Sequence, residues 1–226
     1  MAASKQHETT TAIEDYAKAI YVLEQRGEGS VSTNALAERL GVTPASASGM
    51  VRRLDEMGLV THVRYKGVQL TGDGRRLALE MLRHHRLLEL YLAESLGVPW
   101  DRVHAEAEVL EHVLSEELEE AIATKLGNPT HDPHGDPIPS ADLQVDEPET
   151  VPLQTLSRGQ TGRFVRVSDS DSEMLRYLSA RGISPGDRFE VIDKHPFDGP
   201  VFARFGADVH VIGGGLARAM RVEAER

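Results

Sequence analysis

The chain has 226 residues, 40% of them hydrophobic and none of them cysteine, with a formal charge of -11. That length suits one large domain or two to three small ones with real cores, and the lack of Cys excludes disulfide frameworks, zinc-thiolate clusters, iron-sulfur centres and thiol nucleophiles, leaving nitrogen and oxygen ligands for any metal. Net acidity argues against a nonspecific nucleic-acid binder, while the lack of a long apolar run and of a signal segment in MAASKQHETT points to a cytoplasmic protein with no membrane partner.

The first element, AIEDYAKAIYVLEQRG, sets Ile13, Tyr16, Ala17, Ile20, Tyr21 and Leu23 on one helical stripe that ends at Gly27. STNALAERLGVTPASASGMVRRLDEMG reads as two helices, the first capped by Ser32 or Thr33 and ended by Gly41, the second opened by Thr43 and Pro44. The tight break at GVTP has helix-turn-helix spacing. After Gly58, LVTHVRYKGVQLT alternates around a Lys66-Gly67 turn and reads as a hairpin wing. Residues near the start of the second helix of such a motif reach base edges. Here they are Thr43, Ala45, Ser46, Ser48 and Gly49, with Arg52, Arg53, Arg64 and Lys66 as phosphate contacts. Because the reading positions are small, shape readout contributes.

A long helix is expected from about Gly72 to Ser95 and another from about Trp100 to Leu126, separated by Gly97-Val98-Pro99. Six of the eleven prolines lie between Gly127 and Leu153, which marks a linker. Beyond it, GRFVRVSD, DRFEVIDK, GPVFARFG, DVHVIGG and ARAMRVEA read as short strands, interrupted by one short helix near Glu173 to Arg181. A small SH3-like barrel fits these lengths. The fold class is therefore mainly α with small β. A winged helix-turn-helix spans 1–71, a helical dimerisation and metal-binding domain 72–141, a linker 142–154 and an SH3-like (FeoA-like) domain 155–226.

Charge is unevenly placed: six basic residues face four acidic ones between Arg26 and Leu70, whereas fourteen acidic residues face Arg102 and Lys125 between Asp101 and Thr150. An acidic cluster is ordinarily a solvated face, but it is also what a hard cation requires. In HAEAEVLEH, His104, Glu108, Glu111 and His112 fall within about a third of a helix circumference. The preceding helix supplies His85 and Glu89 at i and i+4, HDPHGDPIP adds Asp132 and His134, and the first helix offers Asp15. Carboxylate and imidazole donors without thiolate suit manganese or ferrous iron. Such pairs on antiparallel helices also build di-metal enzyme centres, a reading that leaves the winged helix unexplained.

EDYAKAIYVLE, the winged helix, LRHHRLLELYL, VHAEAEVLEHVLSEELE, the DPHGDPIP turn and the C-terminal barrel together resemble the diphtheria toxin repressor family, and are similar to its manganese-responsive three-domain branch. The resemblance implies a non-enzymatic repressor of metal-uptake genes that binds palindromic operator DNA as a metal-loaded homodimer, with no small-molecule substrate. It implies a primary ion on Asp15, His85, Glu108, Glu111 and His112, and an ancillary ion among Glu89, Asp132, His134 and Asp169, with His104 a further possible ligand. Iron-responsive relatives carry Met in place of Asp15 and Cys in place of Glu108. Both differences point to Mn2+ rather than Fe2+ as the cofactor.

Overall fold

A computed structural model of the chain describes residues 2–26, 30–63, 67–169 and 171–225. They form two compact units. The first comprises Met1–His84, Glu111–Leu114 and Pro139–Leu143, and the second His85–Leu110, Ser115–Ile138 and Gln144–Arg226.

The first unit opens with helix α1 (Ala2–Arg26). Its residues Ile13, Tyr16, Ala17 and Ile20 are buried at the i, i+3, i+4, i+7 spacing that keeps one helix face on a core. Helix α2 (Thr33–Leu40) is capped by Ser32, whose hydroxyl accepts from the amide of Ala35, and it stops at Gly41 in the left-handed region at φ 64. Helix α3 (Pro44–Glu56) follows α2 after three residues, with Thr43 as its N-cap and Pro44 in its first turn. Leu36, Ala47, Val51 and Leu54 pack with Ile13, Tyr16 and Ile20 in one core. Strands β1 (Val60–Val63) and β2 (Gly67–Leu70) form the antiparallel wing, and Val31 bridges to Val68 beside it.

Helix α4 (Gly72–Leu96) begins behind Thr71, whose side chain accepts from the amide of Gly74, and runs from the first unit into the second. The expected second long helix is instead three pieces: α5 (Val103–Leu110), a 3-10 turn at Glu111–Val113, and α6 (Glu116–Lys125). Ser115 restarts the helix, its hydroxyl accepting from the amide of Leu118.

The second unit carries a six-stranded antiparallel sheet of order β3-β8-β4-β5-β6-β7. Its strands are β3 (Val151–Pro152), β4 (Thr161–Val167), β5 (Arg188–Lys194), β6 (Val201–Phe205), β7 (Asp208–Ile212) and β8 (Met220–Ala224). Helix α7 (Ser172–Ser179) lies between β4 and β5, and α8 (Gly214–Ala219) between β7 and β8. β3 falls inside the stretch read as linker, and α8 takes the first part of ARAMRVEA, which had read as strand. Phe164, Leu175, Leu178, Ile183, Val191 and Ile212 fill the barrel core, against which Trp100 packs. The fold is thus an N-terminal winged helix-turn-helix, a helical middle and a small SH3-like β domain. Among the described residues no helix is long and apolar enough to cross a membrane.

Candidate metal centres and nucleic-acid interface

In the first unit Asp15 on α1 meets Glu111 and His112 on the 3-10 turn. His112 Nε2 lies 3.1 Å from Asp15 Oδ1 and 3.6 Å from Glu111 Oε1. Two neighbours hold these groups in place. Glu14 Oε2 accepts from His112 Nδ1 at 2.7 Å, and Lys18 Nζ donates to Glu111 Oε1 at 2.5 Å. His84 Nδ1 stands 3.2 Å from the backbone oxygen of Glu111. Glu111 is 1% exposed, so its carboxylate depends on Lys18 and its other neighbours for the solvation that water cannot give. Donation from the His112 ring to the Asp15 carboxylate, aided by Glu14, outweighs burial and raises the His112 imidazole to about 9.

The second unit holds the remaining candidates. His85 turns Nε2 to Glu89 Oε1 and to His104 Nδ1, both at 3.0 Å, and has Nδ1 3.8 Å from Glu108 Oε1. His104 Nδ1 also lies 3.2 Å from Glu89 Oε1 and 3.0 Å from Asp169 Oδ2, while its Nε2 is 3.8 Å from Glu108. His85, Glu89, His104 and Asp169 therefore present one donor atom each to a common point, as do Glu89, Asp132 and His134. Glu89 belongs to both sets. It is fully buried, and the histidines around it, His85 foremost, hold its carboxyl well below the usual range in spite of that burial. The hydrogen bond with Asp169 is the main cause that lifts His104 to about 10.

His134 is fully buried and stacked on Trp100 at 5.7 Å, with its Nε2 2.8 Å from the Trp100 backbone oxygen. Donation there leaves Nδ1 as the ring nitrogen that could hold a metal. Nδ1 faces Glu89 Oε2 at 3.7 Å, beyond hydrogen-bond reach, and both atoms are buried without a hydrogen-bond partner. The ring nitrogen and the carboxylate oxygen thus face each other as an ion pair without a hydrogen bond, and a divalent cation can take the place of the proton between them. Burial is opposed by Glu89 and Asp132 to leave His134 at about 9, whereas burial drives the Asp132 carboxyl well upward. Asp132 Oδ1 accepts from the amides of His134 and Asp136, both at 2.9 Å. Oxygen and imidazole donors throughout suit a divalent first-row ion, so the residues present fit a metal.

On the DNA side, Thr43, Ala45, Ser46, Gly49, Arg52 and Arg53 are exposed along α3, and Ser48 is half-buried. Two hydroxyls are already engaged: Thr43 caps α3, and Ser48 donates to the Pro44 carbonyl at 2.8 Å. Arg64 and Lys66 lie outside the described residues. Glu14, Trp100 and the supporting role of Lys18 were missed by spacing rules. Glu14 adjoins Asp15 and would point elsewhere on an isolated helix, and Trp100 acts through its backbone, which leaves no pattern in sequence.

Three family profiles match the chain: the iron dependent repressor N-terminal DNA binding domain over residues 8–68, the iron dependent repressor metal binding and dimerisation domain over 71–140, and the FeoA domain over 151–224. The iron-dependent repressor IdeR of Mycobacterium tuberculosis is 31% identical over 229 residues, covering 96% of this chain and 99% of the relative. The diphtheria toxin repressor of Corynebacterium efficiens is 34% identical over 221 residues, covering 93% and 94%. A solved manganese-dependent transcriptional repressor in complex with manganese superposes with a TM-score of 0.86 at 45% identity, over 93% of this chain and 98% of that one. The manganese regulator SloR superposes with a TM-score of 0.75 at 29% identity, over 94% and 98%.

Proposed function

We propose, from the premise that this chain belongs to the iron-dependent repressor (diphtheria toxin repressor) family and is one of its metal-dependent transcriptional repressors, that manganese is the ion that activates it. The observation that carries the reading is the donor set on α1 and the 3-10 turn. Asp15, Glu111 and His112 offer two carboxylates and an imidazole, with no sulfur among them. Hard oxygen donors favour manganese over softer competitors as far as ligand type can, and geometry and supply do the rest. The solved relatives named for manganese support the same choice. We assign the first ion to Asp15, Glu111 and His112, completed by His85 and Glu108, and an ancillary one to Glu89, Asp132, His134 and Asp169.

A bound divalent ion supplies strong, directional bonds to carboxylate and imidazole that water cannot match. The chain's residues turn that chemistry into DNA binding. Asp15 sits on the helix whose Ile13, Tyr16 and Ile20 pack into the DNA-binding core, so restraining Asp15 restrains α3. Glu14 and Lys18 orient His112 and Glu111 toward it. Val109 and Leu110 on α5, Leu118 on α6 and Leu96 on α4 are exposed apolar residues in the matched dimerisation region, and we assign them to the homodimer face. Paired recognition helices then meet half-sites about 34 Å apart in successive major grooves of a palindromic operator. The protein acts in the cytoplasm as a regulator rather than an enzyme.

The test is a mobility-shift titration on a duplex selected with manganese from a randomised palindromic pool, run anaerobically with manganese, ferrous iron, cobalt and zinc. Binding is expected with manganese, and Glu108→Ala or His112→Ala abolishes it at ordinary manganese concentrations. Equal affinity with and without chelator overturns the reading.

A further inference from the structure

We propose that Glu24 is a positioning residue for DNA binding: its carboxylate fastens strand β2 of the wing to α1, so that the helix carrying Asp15 sets the wing as well as α3. The inference rests on the metal-dependent reading above and names a second route by which a hold on α1 reaches DNA.

The outer edge of β2 carries it. Val68 exchanges both of its backbone bonds with Val31, at 2.9 Å each, so its amide and carbonyl point away from β1. Leu70, two residues further along the strand, turns its amide the same way. Val31 forms an isolated bridge with Val68, which leaves the Leu70 amide in need of another acceptor. Glu24 Oε1 supplies it at 2.9 Å. An amide left unpaired in a half-buried position is costly, and a charged acceptor makes the stronger bond.

The place of Glu24 on α1 gives that bond its consequence. Glu24 stands one turn beyond Ile20 and continues the face on which Ile13, Tyr16 and Ile20 enter the core, at the point where that face reaches the wing. Asp15 lies about 13 Å back along the axis and half a turn round, where it meets Glu111 and His112. Both side chains ride on one unbroken helix, Ala2–Arg26, so a restraint at Asp15 fixes Glu24 within the same rigid body. The wing has other anchors. Asp55 Oδ1 on α3 accepts from the His62 amide at 3.1 Å, and the Thr71 hydroxyl donates to the Gly58 carbonyl at 2.7 Å. Those bonds tie the wing to α3 and to its own base, whereas Glu24 ties it to the helix that bears the metal ligand. A wing released from α1 stays folded but loses its set distance from the phosphates, while α3 still reaches the bases.

The experiment uses the full chain at saturating manganese. Glu24→Met keeps the length of the side chain and removes the acceptor, and Glu24→Gln keeps an amide oxygen in its place. Bound manganese is counted by elemental analysis after gel filtration, and affinity for the selected operator duplex is measured over a range of salt concentrations. Glu24→Met is expected to bind as much manganese as wild type, to lose roughly tenfold in operator affinity, and to flatten the salt dependence by about one unit of slope, as when one phosphate contact is lost. Glu24→Gln stays near wild type in all three. Wild-type affinity or an unchanged slope in Glu24→Met overturns the proposal. Equal losses in Glu24→Met and Glu24→Gln also overturn it, as does a fall in manganese count that accounts for the lost affinity. Should Glu24→Met fail to fold by circular dichroism, hydrogen–deuterium exchange of the peptide carrying Gly67–Leu70 decides: manganese is expected to slow it in wild type and not in Asp15→Ala, and exchange that ignores manganese in wild type overturns the proposal. Failure of the regulatory reading is separate, since it shows as operator binding by the wild-type chain in chelator, whatever the Glu24 variants do.

Discussion

Gly135 follows Asp132 and His134 in the DPHGDPIP turn and lies against the barrel, and replacing it with Ala tests whether that turn is seated as described. A Cβ there falls 1.9 Å from the Val165 carbonyl oxygen and 2.9 Å from its carbon, both backbone atoms of β4, so no side-chain motion relieves the overlap. Its φ of +87 adds the cost of a left-handed conformation for an L residue, about 1–2 kcal/mol. Displacing the turn to admit the methyl adds about 1–3 kcal/mol, by analogy with overpacked cores. It also strains the bond from the Val167 amide to the His134 carbonyl, 3.0 Å in the native turn. Gly135→Ala is therefore expected to lower stability by roughly 2–5 kcal/mol and the midpoint of thermal unfolding by about 4–20 °C, at roughly 2–4 °C per kcal/mol for a region of this size. Because Asp132 and His134 ride on the turn, manganese capacity should fall with it. Calorimetric unfolding and ion counting on the same samples check both. A midpoint within about 1 °C of wild type with full manganese capacity refutes the seating of the turn against β4.

Two further outcomes follow from the first ion's ligands and from the histidines. Asp15→Met with Glu108→Cys introduces sulfur donors and is expected to move activation from manganese toward ferrous iron in the mobility-shift titration; an unchanged ranking of metals refutes the ligand assignment. His104 is raised to about 10, and His112 and His134 to about 9, against an unfolded value of about 6.5. In the metal-free protein their pairing thus stabilises fully below about 6.5 and is lost as pH climbs through about 9–10. On the proposed assignment manganese takes the same nitrogens only by expelling their protons, so binding at pH 7 is expected to release protons and to tighten as pH rises. Calorimetry in buffers of differing ionisation enthalpy counts the protons, and no net release at pH 7 refutes the link.

The DNA-binding half is legible in sequence because its punctuation is local. Ser32, Gly41, Thr43 and Pro44 fix two caps and a turn by their own backbone and side-chain preferences, and the structure uses each in that way. The break between α5 and α6 is not legible. VHAEAEVLEHVLSEELEE is helix-favouring throughout, and what tightens Glu111–Val113 into a 3-10 turn comes from far along the chain, through Lys18 on Glu111 and Glu14 on His112. The same holds for α8. Its glycines look like a strand-ending turn, but Gly214 is needed because a Cβ there lies 2.1 Å from the Asp198 carbonyl oxygen, a contact brought from the β5–β6 loop.

For the candidate metal centres, helical spacing brings out candidate ligands but not how they group. His85 and Glu89 one turn apart are visible as a pair in any helix, whereas the atom that each oxygen of Glu89 faces is decided by His134 in a loop and Asp169 beyond β4. The resemblance groups Asp169 with Glu89, Asp132 and His134, and in the structure Asp169 Oδ2 lies 3.0 Å from His104 Nδ1, in a cluster with His85, Glu89 and His104. A carboxylate read as one ligand among four thereby becomes the group on which two donor sets depend. Glu89→Gln is therefore expected to lower manganese capacity more than His104→Ala or His134→Ala alone, and equal losses in an ion count refute the dependence of both sets on Glu89.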